Sequence, residues 1–231
     1  MTDNHGDRKQ ILNRIRKALK TPAPKLSHPK AENQLPVINA NSDFREWLPL
    51  VGESWDEQAA LFASNSEALK TEFIICENEQ ELMEKLKALQ LECNWQKIAS
   101  HKSTFTEKVL LDLALPVTFT DGGYEVANLE NSDVGITECD ALIAQTGTVL
   151  VTTQSAGGRA LSVLPPHHVV LARREQLLPD LTAAYTLLHQ RYEKNFPTTI
   201  SLITGPSRTG DIERILVLGA HGPKRLTIFC V

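Results

Sequence analysis

Three short runs, GTVLVTT (147–153), HHVVLA (167–172) and TISLIT (199–204), set apolar residues side by side instead of alternating them with polar ones. A strand with one wet face alternates, whereas a strand covered on both faces does not. The VLV, VVL and ISLI cores therefore read as strands buried on both sides. Shorter apolar runs precede them at Phe73–Cys76, Ile98–Ala99 and Pro116–Phe119, and RLTIFCV (225–231) follows. Helical patterns separate these runs at 56–70, 78–90, 179–192 and Asp211–Leu218. The second of them carries Leu82, Leu86 and Leu89 at helical spacing. Strands alternating with helices build βαβ units. The predicted fold is α/β, a mostly parallel sheet flanked by helices.

Within this pattern the N-terminus stands apart. Residues 8–20, RKQILNRIRKALK, put Ile11, Leu12, Ile15, Ala18 and Leu19 on one helical face and basic residues on the other. Residues 21–36 carry four prolines and scattered polar residues, which cannot form a packed element. The expected organisation is a helix and linker over 1–36 and an α/β domain over 37–231. The helix could dock onto its own domain or a dimer mate, or serve as a handle for another protein.

Charge and cysteine usage exclude several classes. The net charge of −4 gives no long-range attraction to nucleic acid or an anionic surface. No run of eighteen apolar residues occurs, so no membrane span is expected. The charged N-terminus lacks an apolar secretory segment, which points to the cytoplasm. The four cysteines, Cys76, Cys93, Cys139 and Cys230, form no C-x-x-C pair and sit among apolar residues. They read as small buried hydrophobes, not as holders of zinc or an iron–sulfur cluster. His167 and His168 are adjacent on a strand and must point to opposite faces, so they do not share a metal ion. No metal site is expected.

Two glycine-rich loops follow buried strands, where α/β sheets bind ligands. The first is GPSRTGDIERILVLG, read as loop then helix. Gly205 permits a tight turn, Ser207 and Thr209 offer hydroxyls, and Arg208 can grip a carboxylate or phosphate. Asp211 sits at the start of the predicted helix, with Gly219 as its C-terminal cap. The alternative is an elaborate helix cap without a ligand. His221, in the GAHGP turn beyond, is the candidate proton carrier. The second loop is SAGGR, with Ser155, Gly157, Gly158 and Arg159. Thr146 and Gly147 enter its strand, and Glu138 and Asp140 are the nearest carboxylates in sequence. Glu138 is the candidate acid or base. The two loops are expected to be neighbours. Asp121-Gly122-Gly123-Tyr124 reads as a turn. No G-x-G-x-x-G or Walker loop is present, which disfavours a hydride-transferring dinucleotide enzyme.

Taken together, TGTVLV, Arg159 with LSVLPPHHVVL, and ITGPSRTGDIERILVLGAHGP before a last strand resemble the LUD-domain family. The proline-rich linker after ILNRIRKAL is also similar. The chain departs from the pattern at Gly210, where alanine is common. The resemblance implies a sheet like those of ribose-phosphate isomerases and CoA transferases. It implies a part in oxidising L-lactate to pyruvate, beside two partner proteins of which at least one carries iron–sulfur clusters. No cofactor is expected on this chain itself. A small anionic ligand is expected at the loops, and homo-oligomerisation is left open. The resemblance assigns no catalytic residues. A scaffold for such a complex, or a stand-alone group-transfer enzyme on a small anion, are the alternatives.

Overall fold

A computed structural model of the chain describes residues 12–14, 16–17, 48–209, 217–219 and 221–231. The chain divides into two units, residues 1–47 and 48–231. In the first, residues 12–14 and 16–17 are helical, on the segment read as an amphipathic helix. The remainder of that helix, and the proline-rich linker, lie outside the described residues.

The second unit is built on a six-stranded sheet. In chain order its strands are β1 (Glu72–Ile75), β2 (Ile98–Ser100), β3 (Val117–Phe119), β4 (Val134–Glu138), β7 (His167–Ala172) and β12 (Arg225–Cys230). Their spatial order is β1-β12-β7-β4-β2-β3, and every neighbouring pair is parallel. One face packs on α2 (Glu79–Cys93) and α3 (Thr104–Leu113). Leu82, Leu86 and Leu89 of α2, with Val109 and Leu113 of α3, close over Ile98, Ile136, Val169, Leu171 and Phe229. The other face meets α1 (Trp55–Ala68) and a second sheet of β5 (Ala141–Ile143), β6 (Thr148–Thr152), β8 (Leu177–Leu178) and β9 (Ile200–Ile203). Beyond it, α5 (Leu181–Tyr192) covers the outside of that second sheet through Ala184, Leu188 and Tyr192. A short α4 (Val126–Glu130) joins β3 to β4.

Local sequence explains the helix boundaries. Ser54, Asn78, Ser103 and Asp180 each stand at an N-cap and accept a backbone N–H from the first turn. Apolar periodicity predicts no helix between Ile98 and Pro116. The capping pair Ser103 and Thr106, followed by Val109, Leu110 and Leu113, is the signal for α3 that it passed over.

Burial separates the strands that sequence grouped together. All six residues of β7 are buried, and so are all five of β6. The ISLI strand β9 is different. It pairs with β6 on one side only, at the edge of the second sheet, and Leu202 is 44% exposed. An antiparallel edge strand with two half-open faces also gives an unbroken apolar run. Periodicity alone does not separate it from a central strand.

His167 and His168 face opposite sides of β7, as adjacency requires. His167 Nε2 lies 2.9 Å from Thr227 Oγ1, and its ring meets Trp95 edge-on. His168 Nε2 lies 2.9 Å from Thr137 Oγ1. Burial disfavours the charged imidazole, pushing His167 down to about 4 and His168 to about 3. Cys76, Cys139 and Cys230 are buried as small hydrophobes, whereas Cys93 is half-buried and its Sγ accepts from Arg225 Nη1 at 2.9 Å; burial raises all four thiols, Cys230 to about 11.

These histidines predict an acid-sensitive fold. Their folded pKa values are depressed, so below pH 6.5 the unfolded chain binds protons that the folded chain refuses. Stability is full above that value and falls as the pH drops toward 4, by about 1.4 kcal/mol per pH unit for each histidine at most. Urea midpoints measured from pH 7.5 to 4.5 should decline with this slope. A His168→Gln variant should decline less steeply over the same range.

Candidate active site at the β2–β4 junction

The strand order contains one point where the chain reverses direction. From β2 the chain leaves through α3 toward β3, on the α2–α3 face. From β4 it leaves the other way, through the second sheet toward β7, on the opposite face. The two departures part at the carboxyl ends of β2 and β4, the position at which open α/β sheets hold ligands.

His101 follows β2 and Glu138 ends β4 at this junction. Glu138 N–H donates to His101 Nε2 at 3.2 Å, which puts the ring hydrogen of neutral His101 on Nδ1. Burial holds His101 below its ordinary value, opposed in part by Asp121 and Glu138. Ser103 caps α3: its Oγ accepts from Thr106 N–H at 3.0 Å. The same hydroxyl donates to Glu138 Oε1. Glu138 therefore sits at the positive end of α3, where a carboxylate is favoured. It is half-buried, with capacity to accept further hydrogen bonds. Chemically, the cluster offers a positioned carboxylate base, a hydroxyl and a neutral imidazole.

The SAGGR loop forms the roof. Thr120, which follows β3, donates to Gly157 O at 2.5 Å. Gly157 has φ +61, and a Cβ there would strike His101 Cβ and lie 2.9 Å from Thr120 Oγ1. Only glycine fits this close approach. Ser155 is spent locally, its Oγ accepting from Thr152 N–H at 2.9 Å. Arg159 is exposed and reaches Thr198 O at 3.5 Å. Beyond the roof, the chain crosses the sheet through Ala160 and Leu161, which pack on Ala99 and Leu129. The turn at Asp121–Tyr124 is present: Gly123 N–H donates to Thr120 O, and Asp121 Oδ2 accepts from Lys102 N–H at 2.8 Å.

The two glycine-rich loops are not neighbours. They leave opposite ends of the antiparallel pair β6–β9, which carries four residue pairs. That separation is roughly 10–15 Å. At one end Thr153 N–H bonds to Thr199 O beside SAGGR. At the other, Thr148 Oγ1 lies 2.8 Å from Thr204 Oγ1, beside Gly205. Thr146 and Gly147 belong to this second end. Thr146 Oγ1 donates to Thr148 Oγ1, while Asn65 of α1 donates to the carbonyls of Ala144 and Gln145. They form a structural corner against α1.

The GPSR corner differs from its sequence reading. Arg208 and Thr209 form β10 (Arg208–Thr209), paired antiparallel with β11 (Val217–Leu218). The predicted helix therefore does not extend to Leu218. Its residues 211–216, including the candidate Asp211, lie outside the described residues, as does Gly210. Gly219, with φ +73, ends a strand and donates to Ser207 O at 2.9 Å. Ser207 N–H donates in turn to Pro223 O, and Lys224 N–H to Pro166 O. Pro166 and Lys224 immediately precede β7 and β12. The corner thus sits at the amino ends of the parallel strands, across the sheet from His101 and Glu138. His221 is exposed there, in a cleft of about 390 Å³ with Glu130 and Lys224.

Residues 126–231 match the LUD domain. The LUD segment contains β4 through β12 and so supplies Glu138, the roof and the corner, whereas His101 and Ser103 precede it. The chain resembles lactate utilization protein C of Macrococcus caseolyticus, 39% identical over 104 residues, 44% of this chain and 45% of that protein. It also resembles lactate utilization protein C of Geobacillus sp. strain WCH70, 38% identical over 104 residues, 44% of this chain and 43% of that one. The matched stretch spans less than half the length of each relative. A crystal structure of a DUF162-family protein from Deinococcus radiodurans superposes with a TM-score of 0.60 at 19% identity, over 79% of this chain and 99% of that one. That likeness shows the α/β fold.

Two substitutions separate the roof from the corner. Gly157→Ala forces a strained φ against His101 and should cost about 1–3 kcal/mol in urea unfolding. Arg208→Ala removes an exposed side chain and should shift stability by less than about 0.5 kcal/mol.

Proposed function

We propose that this chain works in the utilization of L-lactate, as one component of an assembly that oxidises L-lactate to pyruvate. In this reading partner proteins carry the iron–sulfur clusters, and this chain holds the small anionic substrate or product. The reading places it in the cytoplasm. The observation that carries it is the LUD match over residues 126–231 together with the 39% and 38% identities to lactate utilization proteins C. The geometry adds a site of suitable chemistry. Glu138, held by Ser103 at the start of α3, can accept a proton or a hydroxyl hydrogen bond. The neutral His101 fixes the backbone of Glu138 through its Nε2.

The test is genetic. In a strain with no other L-lactate dehydrogenase, deleting the gene should abolish growth on L-lactate as sole carbon source and leave growth on pyruvate intact. Reintroducing the wild-type gene should restore it. Unchanged growth on L-lactate after deletion overturns the reading.

A further inference from the structure

The carboxyl ends of β4 and β7 bring two groups of opposite charge to one rim. Glu138 pairs in register with Leu171 of β7. Arg173 stands two residues beyond Leu171, still in extended backbone. Side chains alternate along a strand, so Leu171 and Arg173 share a face, and Leu171 faces α2 and α3. Glu138 lies on the same face as Ile136, which also faces those helices. Two residues of rise and one strand spacing put the two Cα atoms roughly 8 Å apart.

Arg173 is held by an aromatic ring and a long ion pair. Its guanidinium carbon lies 4.4 Å from the centre of the Phe105 ring. Its Nη1 stands 3.9 Å from Glu79 Oε1, beyond hydrogen-bond length, while Lys108 holds the other Glu79 oxygen. Phe105, Glu79 and Lys108 line a cleft of about 570 Å³ between α2 and α3, with Leu82 and Met83 as apolar wall. Arg173 thus lies against two residues of that cleft, and Ser103, which holds Glu138, caps the helix that carries Phe105.

From this arrangement we infer a binding site for a small 2-hydroxycarboxylate at the rim formed by Arg173, Ser103 and Glu138. The inference rests on the lactate reading above and names the atoms that would take the substrate. The planar guanidinium of Arg173 receives the ligand carboxylate through two parallel N–H bonds. Glu138, an acceptor only when ionised, receives the hydroxyl hydrogen. A second anionic group at that end would meet the Glu138 charge, so the rim selects one carboxylate and one hydroxyl.

Calorimetric titration of the purified full-length chain with L-lactate, propionate and inorganic phosphate tests this. L-lactate should bind about tenfold or more tighter than propionate, the value of one hydrogen bond to a charged acceptor. Glu138→Gln should remove most of that preference, and Arg173→Met should weaken both acids alike, with circular dichroism verifying the fold of each variant. Equal binding of L-lactate and propionate by the wild type, no measurable binding of L-lactate, or tighter binding of phosphate than of L-lactate overturns the inference whatever the variants do. A preference that survives Glu138→Gln overturns it too. The outcomes are separable from the growth test. Loss of growth on deletion combined with failed lactate binding removes this site and leaves the role. Lactate-selective binding with unchanged growth removes the role and leaves the site.

Discussion

Strand β7 exchanges backbone hydrogen bonds with β4 on one side and β12 on the other, while layers of side chains cover both its faces. No residue of it reaches solvent appreciably. Removing so much backbone from water is tolerable only when every N–H and C=O is paired, which a central parallel strand achieves. The cost of that burial also falls on His167 and His168, which must stay neutral and lean on Thr227 and Thr137. The rest of the domain is arranged to keep this strand covered. On one face α2 and α3 do so, and on the other α1 and the second sheet.

That two-sided cover sets the point where the crossovers part. A parallel sheet needs crossovers, and crossovers of one hand on opposite faces must part somewhere. Here they part between β2 and β4. Helix α3 begins beside Glu138, and Ser103 at its cap binds that carboxylate. The SAGGR loop then closes over His101, through a glycine whose backbone no larger residue adopts without strain. Positioning, electrostatics and access at this rim all follow from strand order. The GPSR corner answers a different need. It ties the entry to β12 onto the entry to β7 through Pro223, Ser207, Gly219 and Pro166. Glycines, prolines and hydroxyls are also what a dense backbone corner requires, so residue types that suggest an anion site suggest such a corner equally well.

Legibility in the sequence followed the range of the interactions. Helix caps and apolar spacing act within a few residues, and most helices and strands were placed to within two or three positions. The α/β class followed from their alternation. Glu138 and the SAGGR loop were singled out from residue type alone. His101 and Ser103 were not, because a lone histidine and a serine before a helix carry no local mark of their role. Arg173 was missed for the same reason: its partner Phe105 is far away in sequence. The expected adjacency of the two glycine loops failed at β9, whose apolar run hides an edge strand running antiparallel to β6.

By itself the sequence determined most of the strands and helices, though not α3, β4 or β5, since hydrophobic periodicity and capping are properties of neighbouring residues. It also determined that the adjacent histidines cannot share an ion and that Cys76, Cys139 and Cys230 are small buried hydrophobes, though not that Cys93 would be half-buried against Arg225. Tertiary structure alone decided which strand lies beside which, and therefore that β2 and β4 meet while SAGGR and GPSR part. The physical reason is that strand order is chosen by the burial of whole faces, summed over residues distant in the chain. The rim is a product of that sum: His101 and Ser103 from the β2–α3 connection, Glu138 from the end of β4 and Arg173 from beyond β7 come from three separate places and share one edge of the sheet only when the faces close.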